Sequence, residues 1–379
     1  MSDAVLYSRP QPRGISLTAI VFLVMGCASS GTGASLPATT TGTTAASPLF
    51  AAPTGWRVTT LEHVDLWLHG FAMLTSDTGR VPFFARGYKQ QVTALKRQRN
   101  LFTQLDANQS NLSARFSTNP ALANAQFVAM YFPSFQEIVN ATDLFIRSNG
   151  DPRAASDPQM QQEIALLAGN FPSPADRNWL RLFVQSLQDE STRFYHAYWT
   201  NEQQTRAAGF GAFREAWASR YYPKLSRFLN NTQQGAGQVV LSVPLGGEGR
   251  TISDGKQANM IAVVYPATAD AAPEALYTFV HEATGRLADE AIRDNTTPAE
   301  QRSGAAAGYS GNASVRAGAL LLQRIFPDLV PTYMRFYLRT LGSAPGPGDV
   351  TAAFVAGFPV PSAVVAAIGR QIDVVLGGI

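Results

Sequence analysis

From about residue 56 to 235 apolar residues recur at helical spacing, and near residue 236 the period changes. Leu61-Glu62-His63-Val64-Asp65-Leu66-Trp67-Leu68-His69 carries apolar side chains on more than one face, which predicts a well-buried helix. Phe84 to Leu101, Ala121 to Ser148, Ser173 to Thr200 and Glu202 to Asn231 continue the helical spacing. Pro133 and Pro223 fall inside runs and should kink or split them. The prolines of Phe171-Pro172-Ser173-Pro174 instead suit the start of a helix. Beyond residue 236, Gln238-Val239-Val240-Leu241-Ser242-Val243 and Met260-Ile261-Ala262-Val263-Val264-Tyr265 read as strands. Leu245-Gly246-Gly247-Glu248-Gly249-Arg250 reads as a turn-rich link between them. Helices are expected again over 273–293, 312–326, 328–341 and 361–376. The expected class is α+β and mostly α-helical, with a small sheet followed by further helices.

Composition narrows the chemistry. The 379 residues include 45% hydrophobic ones, enough for a large core, and a single cysteine, which excludes a disulfide scaffold or a multi-thiolate zinc site. With 30 Lys+Arg against 27 Asp+Glu the net charge is only +3 and no basic block occurs, so no nucleic-acid partner is expected. The glycine-rich link lacks the lysine of a phosphate-binding loop, and no G-x-S-x-G elbow is present.

The lone cysteine sits in a telling place. Arg9 and Arg13 precede an uncharged, mostly apolar stretch from Gly14 to Met25, too short for a permanent membrane span. It ends in Leu23-Val24-Met25-Gly26-Cys27, which resembles the lipobox of bacterial lipoproteins. That resemblance implies a signal peptide over 1–26 and lipidation of Cys27 as the mature N-terminus. Residues 27–55 are rich in Ser, Thr, Gly, Ala and Pro and read as a flexible tether. The expected location is the cell envelope, lipid-anchored, at the outer membrane, because Ala28 is not the Asp associated with inner-membrane retention. A helical region over 56–235 and a second region over 236–379 follow, with one compact body over 56–379 as the alternative division.

The most informative chemistry lies in Phe279-Val280-His281-Glu282-Ala283-Thr284-Gly285, early in an apolar helix after the strands. Here the chain resembles the HExxH zinc metallopeptidases of the gluzincin type. In that family two histidines at i and i+4 bind zinc, the intervening Glu is the general base, and a Glu on a later helix completes the site. His281 matches the first ligand and Glu282 the base. Gly285 stands at the second ligand position. Asn312-Ala313-Ser314-Val315-Arg316-Ala317 resembles a Glu-x-x-Val-Arg-Ala ligand segment, with Asn312 in place of the Glu. Two of three zinc ligands are thus missing, and Asp289 lies about 12 Å further along the helix than His281. A zinc site of ordinary affinity is not expected, since catalytic zinc takes three protein ligands and a water.

Several readings stay open at this point. The body is a catalytically impaired metallopeptidase-like fold that binds a peptide or protein ligand. Or a metal site is rebuilt from other histidines, His69 or His196, with Asp65 orienting His69 from four residues away. Or His281 and Glu282 are only a polar pair on an unrelated helix. Tyr309, in the loop before the Asn312 helix, is a candidate donor to an oxyanion, and Arg316 is a candidate partner for Glu282 or Asp289. A non-enzymatic lipoprotein binding a partner through its helical half is the other class. Exposure of Trp67, Trp179, Tyr195, Tyr198 and Trp199 would favour it.

Overall fold

A computed structural model describes residues 55–75, 81–253, 258–342 and 349–377. The expected export signal, Cys27 and all but the last residue of the expected tether lie outside the described residues. The described chain is an α+β protein, mostly helical, with one small sheet.

Strand β1 (Trp56–Thr59) leads into α1 (Glu62–Leu74), α2 (Tyr88–Gln98) and α3 (Gln104–Thr118). A 3-10 stretch over Pro120–Tyr131 precedes α4 (Phe135–Arg147), so Pro133 falls at a break between helices. The chain continues through α5 (Pro158–Asn170), α6 (Pro174–Glu190), α7 (His196–Thr205), α8 (Ala207–Ala216) and α9 (Tyr222–Asn231). A π-helical turn, Ser191–Tyr195, joins α6 to α7, and a second, Trp217–Tyr221, joins α8 to α9 with Pro223 in the first turn of α9. Pro174 opens α6, where Ser173 accepts from the Asp176 amide and closes a capping box, so those prolines do begin a helix.

Three more strands follow: β2 (Gly237–Ser242), β3 (Arg250–Ser253) and β4 (Asn259–Val264). The sheet order is β1-β2-β4-β3. Strands β1, β2 and β4 run parallel, with Trp56 opposite Gly237 and Val240 opposite Ala262, while β3 is the antiparallel edge, Thr251 opposite Ile261. The long helix α10 (Ala272–Asn295) comes next, then α11 (Pro298–Ser303), α12 (Ser310–Ile325), α13 (Val330–Thr340), α14 (Val350–Gly357) and α15 (Ser362–Gly377). The α10–α12 contact is the most extensive between any two elements, and α15 packs on both helices.

Two strands differ from the sequence reading. Trp56–Thr59 was expected to begin a helical region, and Arg250 to end a link. Both strands are four residues long and lie at the two edges of the sheet, too short to carry a periodic signal of their own; β1 is held by β2 from far along the chain, β3 by β4, the next strand. Trp56 ties β1 inward: its indole donates to the Gln234 carbonyl at 2.7 Å, and its ring meets Phe279 of α10 edge-on at 5.2 Å. Among the described residues no single helix is long and apolar enough to cross a membrane.

Candidate functional site

Helix α10 presents His281 and Glu282 to the sheet edge. Glu282 is held by β3 and the residue before it: the Gly249 amide donates to Oε1 and the Thr251 hydroxyl to Oε2, each at 3.0 Å. Residues 249 and 251 share one face of the edge strand by the two-residue period of extended chain, which is why both reach the same carboxylate. Between them Arg250 points the other way, its guanidinium 3.4 Å from the Phe83 ring centroid and bonded to Gln126 Oε1 at 2.7 Å. Gly249 is required by this approach, because a Cβ there would stand 2.3 Å from the Ala262 carbonyl oxygen and 2.8 Å from Glu282 Cγ.

The pair is buried rather than open to a groove. The His281 side chain is 1% exposed and that of Glu282 7%. His281 Nδ1 lies 3.1 Å from Glu282 Oε1, which assigns the ring proton to Nδ1, and the ring stacks on Tyr337 at 5.9 Å. Nε2 is buried and makes no hydrogen bond among the described residues. Burial pushes the Glu282 carboxyl up, but the His281 bond, the Arg250 charge and the Gly249 amide outweigh it and hold the group below its usual range.

The other site residues read from the sequence are dispersed. Gly285 lies buried one turn along α10. The Asn312 amide donates to the Pro359 carbonyl at 3.0 Å. Tyr309 is half-buried against the core at the end of a short 3-10 turn, Ala307–Tyr309. Arg316 does not pair with Glu282 or Asp289; it lies over the Phe354 ring at 5.8 Å, and Asp289 instead accepts from the Ser310 hydroxyl at 2.9 Å. Half-burial alone lowers the Arg316 guanidinium.

The two distant histidines are committed elsewhere. His196 is exposed and pairs with Glu62 at 2.9 Å. His69 is fully buried, but Asp65 does not orient it: Nε2 meets Glu190 Oε1 at 3.1 Å and Nδ1 meets the Tyr88 hydroxyl at 2.9 Å. Glu190 is itself 0% exposed and takes Lys96 Nζ at 2.8 Å and the Thr103 hydroxyl. Burial raises this carboxyl, yet His69 and Lys96 bring it down to about 2. This network joins α1, α2, α6 and the start of α3. No local pattern announces it, because Lys96 and Glu190 are 94 positions apart. Among the described residues no group of three or more His, Cys, Asp or Glu is placed to hold a metal ion.

Of the five aromatics whose exposure would mark a partner surface, Trp67, Trp179 and Tyr195 are buried and Tyr198 and Trp199 half-buried. The large exposed apolar side chains among the described residues are Phe102, Val355 and Val374. Compared with known protein families, curated proteins and solved structures, the chain matches none.

Proposed function

We propose that the chain is a lipid-anchored lipoprotein of the cell envelope, held at Cys27, whose body keeps the frame of a zinc metallopeptidase without a working zinc site. One observation carries the reading. His281-Glu282 stands on a helix that directly follows a small mixed sheet, with antiparallel edge strand β3 against Glu282 and α12 packed along the same helix. That is the order and neighbourhood in which the metallopeptidase resemblance requires a base, a substrate-aligning edge and a second ligand helix.

The donor set argues against zinc. His281 Nε2 is one imidazole nitrogen where catalytic zinc takes three protein ligands. Position 285 has no side chain, and Asn312 turns its amide to Pro359. Glu282 is engaged by Gly249 and Thr251, so the carboxylate serves as a clasp on the edge strand. A peptide or protein ligand would be bound rather than cut.

The test uses the full chain in detergent. Expected are a lipid-modified N-terminus that disappears in Cys27→Ser, zinc well below one equivalent after dialysis, and no chelator-sensitive peptide cleavage. Stoichiometric zinc with chelator-sensitive cleavage would overturn the impaired site. The double variant Gly285→His with Asn312→Glu should take up zinc. A folded double variant that binds none overturns the placement of the three ligand positions.

A further inference from the structure

A second polar corner lies at the carboxyl ends of the parallel strands, the end at which sheets of this kind leave room for ligands. β1 runs into α1, which brings in Asp65. β2 ends at Ser242, and the Val243 amide behind it donates to Asp65 Oδ2 at 3.4 Å. β4 ends at Val264, beside Tyr265. Helix α7 closes the corner: the Trp199 indole donates to Asp65 Oδ2 at 3.0 Å, and Arg206, just past its end, donates to the Tyr265 carbonyl at 2.8 Å. Tyr195 enters from the π-helical turn ahead of α7.

Buried polar atoms in folded proteins are almost always hydrogen-bonded. Here Asp65 Oδ1, Ser242 Oγ and Tyr195 Oη are buried and complete no hydrogen bond of good geometry, on side chains that are all 0% exposed. They belong to one neighbourhood: Ser242 lies close enough to favour the Asp65 carboxylate, and the Asp65 charge acts on the hydroxyls of Tyr88, Tyr195, Tyr198 and Tyr265. Gln203 Nε2, also buried and without a partner, is a donor and does not belong to this acceptor set.

We propose that this corner is a binding site for a primary ammonium group, with Asp65 Oδ1, Ser242 Oγ and Tyr195 Oη as its three acceptors. A primary ammonium carries three donors and no acceptor, which answers three orphaned oxygens. The rings of Tyr195, Tyr198 and Trp199 supply the aromatic faces that favour a cation, and the carboxylate disfavours an anion. Entry is under α7, which has no buried residue of its own and is joined to α6 by a π-helical turn, a distortion frequent at functional sites. Burial pushes the Asp65 carboxyl up to about 7 against the nearby Ser242 hydroxyl, the bonds of Val243 and Trp199 and the charge of Arg206. A bound ammonium supplies the missing counter-charge. This site is separate from His281-Glu282, and its failure would leave the metallopeptidase-like reading untouched.

The experiment titrates the full chain in detergent at about pH 8, where Asp65 is mostly ionised. Methylammonium chloride is compared with tetramethylammonium chloride and potassium chloride at equal ionic strength, reading melting temperature and tryptophan fluorescence. Expected is a saturable rise in melting temperature with methylammonium alone, lost in Asp65→Asn. Apparent affinity should be about tenfold weaker in Ser242→Ala and in Tyr195→Phe, each lacking one acceptor. An equal response to tetramethylammonium or potassium overturns the proposal, as does an unchanged response in Asp65→Asn. Absence of any saturable response means that the three oxygens bind water only, and also overturns it. If Asp65→Asn fails to fold, the two milder variants decide: wild-type affinity in both is a negative result.

Discussion

At the residue scale three of the protein's buried carboxylates stand in different states. Glu190 and Glu282 are held ionised by partners, whereas Asp65 is pushed toward the neutral form by burial. Removing the first two leaves buried donors without acceptors. Glu190→Ala takes the shared acceptor from His69 and Thr103 and leaves Lys96 with Asp106 as its remaining carboxylate, and should cost about 3–5 kcal/mol, measured by urea unfolding. Glu282→Ala should cost about 2–4 kcal/mol, and Thr251→Val, which deletes one of its two strand bonds, about 1 kcal/mol. A Glu282→Ala variant as stable as the parent would mean that the carboxylate does not clasp β3. Asp65 makes a pH prediction. Its folded value of about 7 stands above 3.8, so its stabilising share is complete below 3.8 and is lost as pH rises through 7. His63 works in the opposite sense: burial lowers it from 6.5 to about 4, so its share is complete above 6.5 and is lost as pH falls toward 4. The two slopes oppose each other between pH 4 and 6.5. In Asp65→Asn the Asp65 slope is removed while that of His63 is kept, so its stability should climb across that window relative to the parent, as read from urea midpoints. Parallel profiles for the two proteins would refute the assignment.

At the element scale the decisive feature is how closely β3 and its approach lie against α10. Gly249→Ala places a methyl against the backbone oxygen of Ala262 and against Glu282, so it should destabilise by more than an ordinary surface glycine, on the order of 2–4 kcal/mol. Gly318→Ala on α12 meets the Tyr333 hydroxyl and should behave in the same way. Calorimetry of both, with Gly211→Ala as a control in open space at an ordinary helical φ, checks the ranking. These approaches explain what the sequence could tell. Long helices were legible because each carries many periods of its own pattern: α10, α12 and α15 lie within two or three residues of their expected bounds. The edge strands were not, being only four residues each, with β1 fixed by distant β2 and β3 by its antiparallel neighbour β4. His281 and Glu282 were legible as adjacent letters in a helix. The Asp65 corner was not, because its indole and amide donors come from 134 and 178 positions along the chain. The same separation hid the Glu190 network, and put Asp65 in the wrong role as the partner of His69. Sequence spacing reports neighbours along one helix face and is blind to the second element that faces it.

At the scale of the whole molecule, β1 joins the two halves that the sequence separates near residue 236. Its ladder with β2 and the contact of Trp56 with Phe279 make the helical half and the His281 helix parts of one packed unit. Arg57→Pro, which removes a ladder amide, should therefore cost about 3 kcal/mol and lower the melting of both halves together. Circular dichroism and tryptophan fluorescence should report one transition at one temperature; two separated transitions would show independent halves. The position of β1 has a mechanical consequence. Gly55 stands one residue before this strand. Tension that reaches Gly55 from the N-terminal side is passed to the parallel β1–β2 ladder and the Trp56 indole bond to Gln234. The ladder is loaded along the strands, so its bonds shear together rather than opening one at a time. The packing of Trp56 on Phe279 then passes the load to the helix that carries His281 and Glu282. In a pulling experiment from the N-terminus, the force to detach β1 would set the strength of the whole body, and Trp56→Ala would lower it.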